Sequence, residues 1–389
     1  MNVLSLFDGM SCGQQALERC GIIVDNYFAS EIDKYAISVT MKNYPNTKQL
    51  GSVINVDGYS LPKIDLLIGG SPCQSFSFAG KRKGMSTKCE TEILTLEHYL
   101  ELKSEGYEFE GQSYLFWEFM RLLNETKPKY FLLENVEMGE KWEKVLSKSI
   151  GVNGIHINSA LVSAQNRKRI YWTNIGMQPS GLFGDLESII QLPKDKGILL
   201  KDILENQIEK KYFISNKMID RIKRSNNGKK CFADNQKSMC LTASYFKQGR
   251  DSQLITVHNT MPRSSTTGKG GTGHLSRNDG KTYCLDTGNT NAIEINKQYI
   301  NNEFPFKQTR PISIESKKHG CLLANAGNRT QGIGIYNKSI IRRLTPTECE
   351  RLQTVKDGYT ANVSDSQRYR MLGNGWTVDV IAHIFNYMK

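Results

Sequence analysis

A cysteine at residue 73 follows Gly70-Ser71-Pro72, directly after the apolar run from Asp65 to Gly69. A thiolate is a strong nucleophile, and open α/β sheets place their sites at the carboxyl ends of strands, which is where this cysteine falls. Pro72 stiffens the approach to it, and Gly69-Gly70 leave room for a ligand or another backbone to come close. A second candidate is Glu134, straight after the strongly apolar Tyr130 to Leu133. A carboxyl desolvated at a strand end favours its protonated form and can donate to a ring nitrogen. A third is Gln165-Asn-Arg167-Lys168-Arg169, whose three consecutive cations suit phosphate or a carbonyl oxygen. Finally, Phe7 to Gly13 reads as a glycine-containing turn from a strand into a helix, and Glu31 follows about 20 residues later, a spacing that suits the hydroxyls of a ribose.

These groups require a sheet to position them. Short apolar runs at Val3 to Phe7, Tyr27 to Ser30, Asp65 to Ile68, Tyr130 to Leu133, Ile157 to Val162 and Arg169 to Asn174 alternate with helix-like stretches, which predicts an α/β domain over residues 1–176. The expected helices are Gln14 to Cys20, Lys34 to Asn43, Leu115 to Leu123 and Trp142 to Ser147. Residues 81–112, within a longer connection over 75–112, interrupt the rhythm with Lys81-Arg-Lys and a helical acidic stretch around Glu90 to Glu105, long enough to be a functional lid or a disordered insert. Helical sequence returns after Arg343, and Trp376 to Met388 has the apolar spacing of a helix that packs back on the first domain.

Between these parts the character changes. Of the net charge of +12, residues 181–340 carry +11, with 25 Lys and Arg against 14 Asp and Glu. A basic middle segment between neutral flanks reads as a polyanion-binding surface, most simply one for nucleic acid. It holds a weak repeat, Lys237-x-x-Cys240-Leu, Lys281-x-x-Cys284-Leu and Lys318-x-x-Cys321-Leu, which predicts three strand-and-turn units with the cysteines as small buried hydrophobes. The nine cysteines are scattered singly, so neither a disulfide framework nor a metal site is expected, and the setting is expected to be reducing. No apolar run approaches the roughly 18 residues of a membrane span, and no export signal or anchor is expected.

In order, Phe7 to Gly13, Glu31, Gly70-Ser-Pro-Cys73-Gln, Glu134-Asn-Val, Gln165-x-Arg167-x-Arg169, Arg343-Leu-Thr-Pro-x-Glu348-x-x-Arg-Leu-Gln353 and Gly373-Asn374-Gly closely resemble the motif set of the DNA (cytosine-5) methyltransferases, of bacterial or phage type. The resemblance covers residues 1–176 and 340–389. It implies a class I, Rossmann-like methyltransferase sheet with a smaller, irregular, mostly β target-recognition domain over 177–340, completed by a return segment over 341–389. The implied cofactor is S-adenosyl-L-methionine, bound by Phe7, Asp8, Gly9, Glu31, Ile32, Ser52, Val53, Pro72, Leu115 and Asn374. The implied partner is double-stranded DNA, met by a monomer without metal in the cytoplasm. By the family mechanism Cys73 adds to C6 of a flipped cytosine, Glu134 contacts N3, and Arg167 and Arg169 hold O2 and position the base.

Three features depart from the family pattern. Gly51-Ser52 stands where Gly-Asp is usual, leaving Asp57 as a candidate substitute; the first turn reads Phe-Asp-Gly rather than Phe-Ala-Gly; and Gly375-Trp376 replaces Ser-Val. Two other readings are a tRNA cytosine-5 methyltransferase, whose branch has a much smaller recognition region, and a DNA-binding regulator without methylation activity. The long basic segment argues against the first, and the intact Cys73, Glu134 and Arg169 against the second.

Overall fold

A computed structural model of the chain describes residues 1–72, 85–180, 185–213, 231–232, 237–238, 240–241, 243, 254–257 and 340–388. Its centre is a seven-stranded sheet. The strands are β1 (Asn2–Leu6), β2 (Asn26–Ser30), β3 (Lys48–Gln49), β4 (Leu66–Gly70), β5 (Tyr130–Val136), β6 (Ile155–Asn158) and β7 (Lys168–Thr173), in the spatial order β3-β2-β1-β4-β5-β7-β6. Strands β1 to β5 run parallel, whereas β7 pairs antiparallel with both β5 and β6. The chain moves outward from β1 in one direction through β2 and β3, then in the other through β4 and β5. This reversal opens a crevice at the carboxyl ends of β1 and β4, the place where such sheets bind ligands.

Apolar residues on both faces of the central strands β1, β2, β4 and β5 explain why these runs are continuous rather than alternating. One face carries Val3, Ala29, Leu66, Ile68 and Leu132; the other carries Leu4, Phe28, Leu67, Phe131 and Leu133. Helices α1 (Cys12–Arg19) and α2 (Lys34–Asn43) contribute Ala16, Leu17 and Val39 to the first core. A further helix, α3 (Leu96–Ser104), joins α4 (Phe116–Thr126) and α5 (Glu140–Ile150) on the second core, where Phe116, Trp117, Phe119, Leu122 and Leu146 are fully buried.

Most predicted elements are present, and the differences have local causes. The run Ile157 to Val162 stops being a strand at Asn158, whose side chain accepts from the amides of Ala160 and Arg167, both at 3.0 Å, and turns the chain. The acidic helix begins only at Leu96, because Glu90 has a positive φ of 66° and Thr95 caps the helix by accepting from the His98 amide. Residues 85–111 are folded against the domain: Tyr99 and Lys103 both donate to the buried Glu118 of α4 at 2.5 Å, and Phe109 stacks on Tyr114 with ring centroids 4.6 Å apart. The preceding part of the expected lid, residues 75–84, lies outside the described residues.

In the middle segment, β8 (Met177–Ser180) and β9 (Asp185–Ser188) pair antiparallel, and β10 (Cys231–Phe232), β11 (Leu254–Val257) and β12 (Ile340–Arg343) form a small sheet. Of the three repeat units, Lys281 to Leu285 and Lys318 to Leu322 lie outside the described residues. The return segment then forms α6 (Pro346–Leu352), α7 (Asp365–Asn374) and α8 (Val378–Phe385), and α8 buries Val380, Ile381 and Ile384 in the first core.

The start of α6 shows why Arg342-Arg-Leu-Thr-Pro-x-Glu348 is a folding motif. Thr345 and Glu348 close a reciprocal capping box, and Pro346 occupies the first helical turn, where its missing amide hydrogen costs nothing. The fully buried Glu348 carboxylate also takes two parallel hydrogen bonds from Arg342, both at 2.8 Å, and one from the Glu205 amide. Replacing Glu348 with Ala strands a buried guanidinium, and we expect it to lower the free energy of urea unfolding by about 3–5 kcal/mol; a loss below about 1 kcal/mol would show the pair to be dispensable.

Candidate active site

A cavity of about 610 Å³ lies at the carboxyl ends of β1, β2, β4 and β5, bounded on its far side by α7 and the turn that follows it. One half is built on the Phe7–Ser11 loop. Phe7, Gly9 and Ser11 all have positive φ, between 56° and 60°, so the loop alternates through a conformation that only glycine adopts freely. Asp8 holds it there: its carboxylate accepts from Ser11 Oγ at 2.5 Å and from Tyr27 Oη of β2 at 2.8 Å. Burial pushes the Asp8 carboxyl up to about 6, against the lowering effect of its hydroxyl donors and with a small contribution from Glu31. Asp8 is therefore mainly ionised at neutral pH and accepts both hydroxyls.

Glu31 accepts from the backbone amides of Gly9 at 2.7 Å, Ile32 at 2.7 Å and Asp33 at 2.8 Å. These bonds fix the carboxylate at the cavity edge, where its four lone-pair positions leave capacity for a ligand hydroxyl. Beside it Ile32, 71% exposed, and Ile54 give the cavity an apolar wall, with Ser52, Val53 and Leu115. Asp57 does not reach this wall; its side chain caps the turn at Tyr59. Asp33 does line the cavity, as does Arg370, 3.5 Å away. Among the expected cofactor residues, Phe7, Asp8, Gly9, Glu31, Ile32, Ser52, Val53, Pro72, Leu115 and Asn374 all border this one space.

The other half centres on Glu134 of β5. The parallel register sets Gly70 of β4 beside Glu134, and the next residue, Asn135, anchors the following turn by donating to Ser71 Oγ at 3.0 Å. Pro72 completes the described part of that wall; Cys73 lies outside the described residues. Glu134 is 8% exposed, and both of its oxygens are engaged. Oε1 pairs with Arg169 Nε at 2.9 Å, a diagonal neighbour across the β5–β7 ladder, and Oε2 accepts from the indole nitrogen of Trp376 at 3.1 Å.

Arg167 is placed differently from Arg169. It is only 3% exposed, and its guanidinium donates to the carbonyls of Leu241 at 3.0 Å, Gly373 at 3.2 Å and Gly375 at 2.9 Å, and to Cys240 Sγ at 3.3 Å. Arg167 thus binds the loop that carries Asn374 and Trp376, while Arg169 faces the carboxylate. Of the three repeat cysteines Cys240 alone is among the described residues, and it is not the expected buried hydrophobe: it is partly exposed and its sulfur accepts from a guanidinium.

Trp376 is a site residue that motif spacing does not mark. An aromatic donor in place of the usual aliphatic residue was the available signal. The contact depends on Gly70, since a Cβ there would lie 2.8 Å from the indole nitrogen and 3.2 Å from Glu134 Oε2.

A ribose-suited carboxylate and apolar wall thus adjoin a carboxylate–guanidinium pair in one cavity. Residues 1–389 match the C-5 cytosine-specific DNA methylases as a sequence family. The chain belongs to that family. Its relatives include an orphan methyltransferase, M.SPRI, of Bacillus phage SPR, 25% identical over 99% of this chain and 96% of that protein. The type II methyltransferase M.HgiCI of Herpetosiphon aurantiacus is 26% identical over 97% and 94%. Among solved structures, the Entamoeba histolytica methyltransferase EhMeth superposes with a TM-score of 0.60 at 15% identity, covering 100% of this chain and 97% of the other, a likeness of fold.

The methyl donor of the family is S-adenosylmethionine. The donor set fits it: Glu31 suits the ribose hydroxyls, and Ile32, Val53 and Ile54 suit the flat adenine. Among the described residues no helix is long and apolar enough to cross a membrane. Trp376→Phe keeps the ring and deletes the donor to Glu134. We expect kcat for DNA methylation to fall about tenfold with a much smaller change in cofactor KM; an unchanged kcat in steady-state assays would show that the indole does not hold the carboxylate.

Proposed function

We propose that this protein methylates C5 of a specific cytosine in double-stranded DNA, acting on a base flipped out of the duplex through a covalent bond between Cys73 and C6. The observation that carries the reading is Glu134, held by Arg169 and Trp376 beside the Gly70–Pro72 turn that leads into Cys73.

Cytosine C5 is a poor nucleophile, and the chain's residues change that. The Cys73 thiolate adds to C6 and forms an S–C bond, while N3 receives a proton by way of Glu134 and the C5–C6 double bond moves into an enamine. Arg169, oriented by its bond to Glu134, serves O2; Arg167 serves the base indirectly, through the loop it binds. S-adenosylmethionine, when bound, supplies an electrophilic methyl group. Once C5 carries the methyl, the C5 proton is lost to solvent, the S–C6 bond breaks to release the Cys73 thiolate, and N3 returns its proton by way of Glu134, which regenerates the aromatic ring.

Residues 177–340, with most of the net positive charge, are the target-recognition domain in this reading, reading base edges in the major groove while the cations meet phosphate. The enzyme would work as a monomer in the cytoplasm of a bacterial or phage-infected cell.

Incubation with labelled cofactor and either duplex DNA or tRNA tests the reaction, with bisulfite sequencing to map the product. Label in DNA at a mapped cytosine is expected; label in tRNA alone would overturn the DNA assignment. DNA containing 5-fluorocytosine is expected to trap a denaturation-resistant adduct with the wild type and none with Cys73→Ala. An adduct with the alanine variant would remove Cys73 from the mechanism.

A further inference from the structure

The middle segment reaches the base pocket beside Arg167. The Ser238 amide donates to the Ala164 carbonyl at 2.7 Å, the Asn166 amide donates to the Ser238 carbonyl at 2.9 Å, and the Leu241 amide donates to Gln165 Oε1 at 3.2 Å. Lys237 secures the same stretch by donating to the carbonyls of Ala160, Ser163 and Ile198. Residues 237–238 and 240–241 are thereby laid along the approach to β7, and Cys240 comes opposite its two arginines. Its Sγ lies 3.3 Å from Arg167 Nη1 and 3.9 Å from Arg169 Nη2.

The family mechanism has no use for a second cysteine here, yet this one differs chemically from its counterparts. Burial pushes the Cys12 thiol up to about 12 and that of Cys349 well above the usual range. Burial also opposes ionisation of Cys240, but the charges of Arg167 and Arg169 outweigh it and hold the thiol below its ordinary value. A sulfur set between two guanidinium groups can accept from both, and its contact with Arg169 adds to the one that arginine makes with Glu134.

We propose that Cys240 is a positioning residue: its sulfur, carried by the recognition segment, holds the Arg169 guanidinium against Glu134. Building on the cytosine reaction proposed above, this makes Cys240 the link between DNA recognition and catalysis. A displacement of residues 237–241 when the segment engages DNA moves the group that holds the base.

The test compares wild type, Cys240→Val and Cys240→Ser on one cytosine-containing duplex. Valine matches the volume without an acceptor and is expected to lower kcat about tenfold while leaving KM for DNA and cofactor within about twofold; serine keeps an acceptor and is expected to recover most of the rate. Equal kcat in all three, or a rise in DNA KM alone, would overturn the proposal. A second readout needs no turnover: alkylation of Cys240 by iodoacetamide at pH 7, followed by peptide mass mapping, is expected to slow several-fold in Arg169→Gln, which removes one of the two cations beside the sulfur. An unchanged rate would also overturn the proposal. A wild type that is inactive on DNA but shows this slowing would contradict the reaction proposed for the site and leave the Cys240–Arg169 contact standing.

Discussion

A buried guanidinium sets the terms for the rest of this structure. Arg167 is almost inaccessible, and a cation removed from water must be fully hydrogen-bonded or it destabilises the fold by several kcal/mol. Its acceptors come from two distant parts of the chain: Cys240 and Leu241 of the middle segment, and Gly373 and Gly375 of the return segment. The approach to β7, the middle segment and the turn bearing Asn374 and Trp376 must therefore assemble together. Gln165 and Gln353 reinforce the same junction, with Gln165 donating to Gln353 at 3.0 Å and Gln353 donating to the Leu372 carbonyl at 2.6 Å.

The two halves of the cavity follow from this junction. The cofactor half rests on the ends of β1 and β2, where Asp8 and Glu31 fix a strained loop by local hydrogen bonds. The base half is nonlocal: Glu134 receives one donor from the neighbouring strand and another from a residue 242 positions away. The turn after α7 serves both halves, since Asn374 borders the cofactor half and Trp376 touches Glu134. In the proposed reaction, positioning of the methyl donor and of the base would share this one mechanical element.

Much of this was readable in the sequence where the cause is local. Apolar runs located β1, β2, β4, β5 and β7, the helix over Lys34 to Asn43 has those limits in the fold, and Glu134 was marked by its place after the apolar run from Tyr130 to Leu133. What escaped is what depends on contacts between distant segments. Backbone carbonyls have no residue signature, so nothing in Gln-Asn-Arg-Lys-Arg distinguishes Arg167, which turns inward to carbonyls, from Arg169, which turns to a carboxylate. The indole donor of Trp376 and the sulfur of Cys240 are likewise visible only once the sheet brings them to the pocket. Asp57, the candidate the sequence offered, caps the turn at Tyr59 and does not border the cavity, whereas Asp33, which no motif marked, does.

The most direct test of this account is the affinity of Arg167→Lys for S-adenosylmethionine, measured by calorimetric titration without DNA. Lysine keeps the charge but cannot reach carbonyls on both segments with one flat fork, so the turn carrying Asn374 should loosen and cofactor binding weaken about tenfold. Unchanged affinity, with catalysis alone impaired, would contradict the account and make Arg167 a group that acts only on the base.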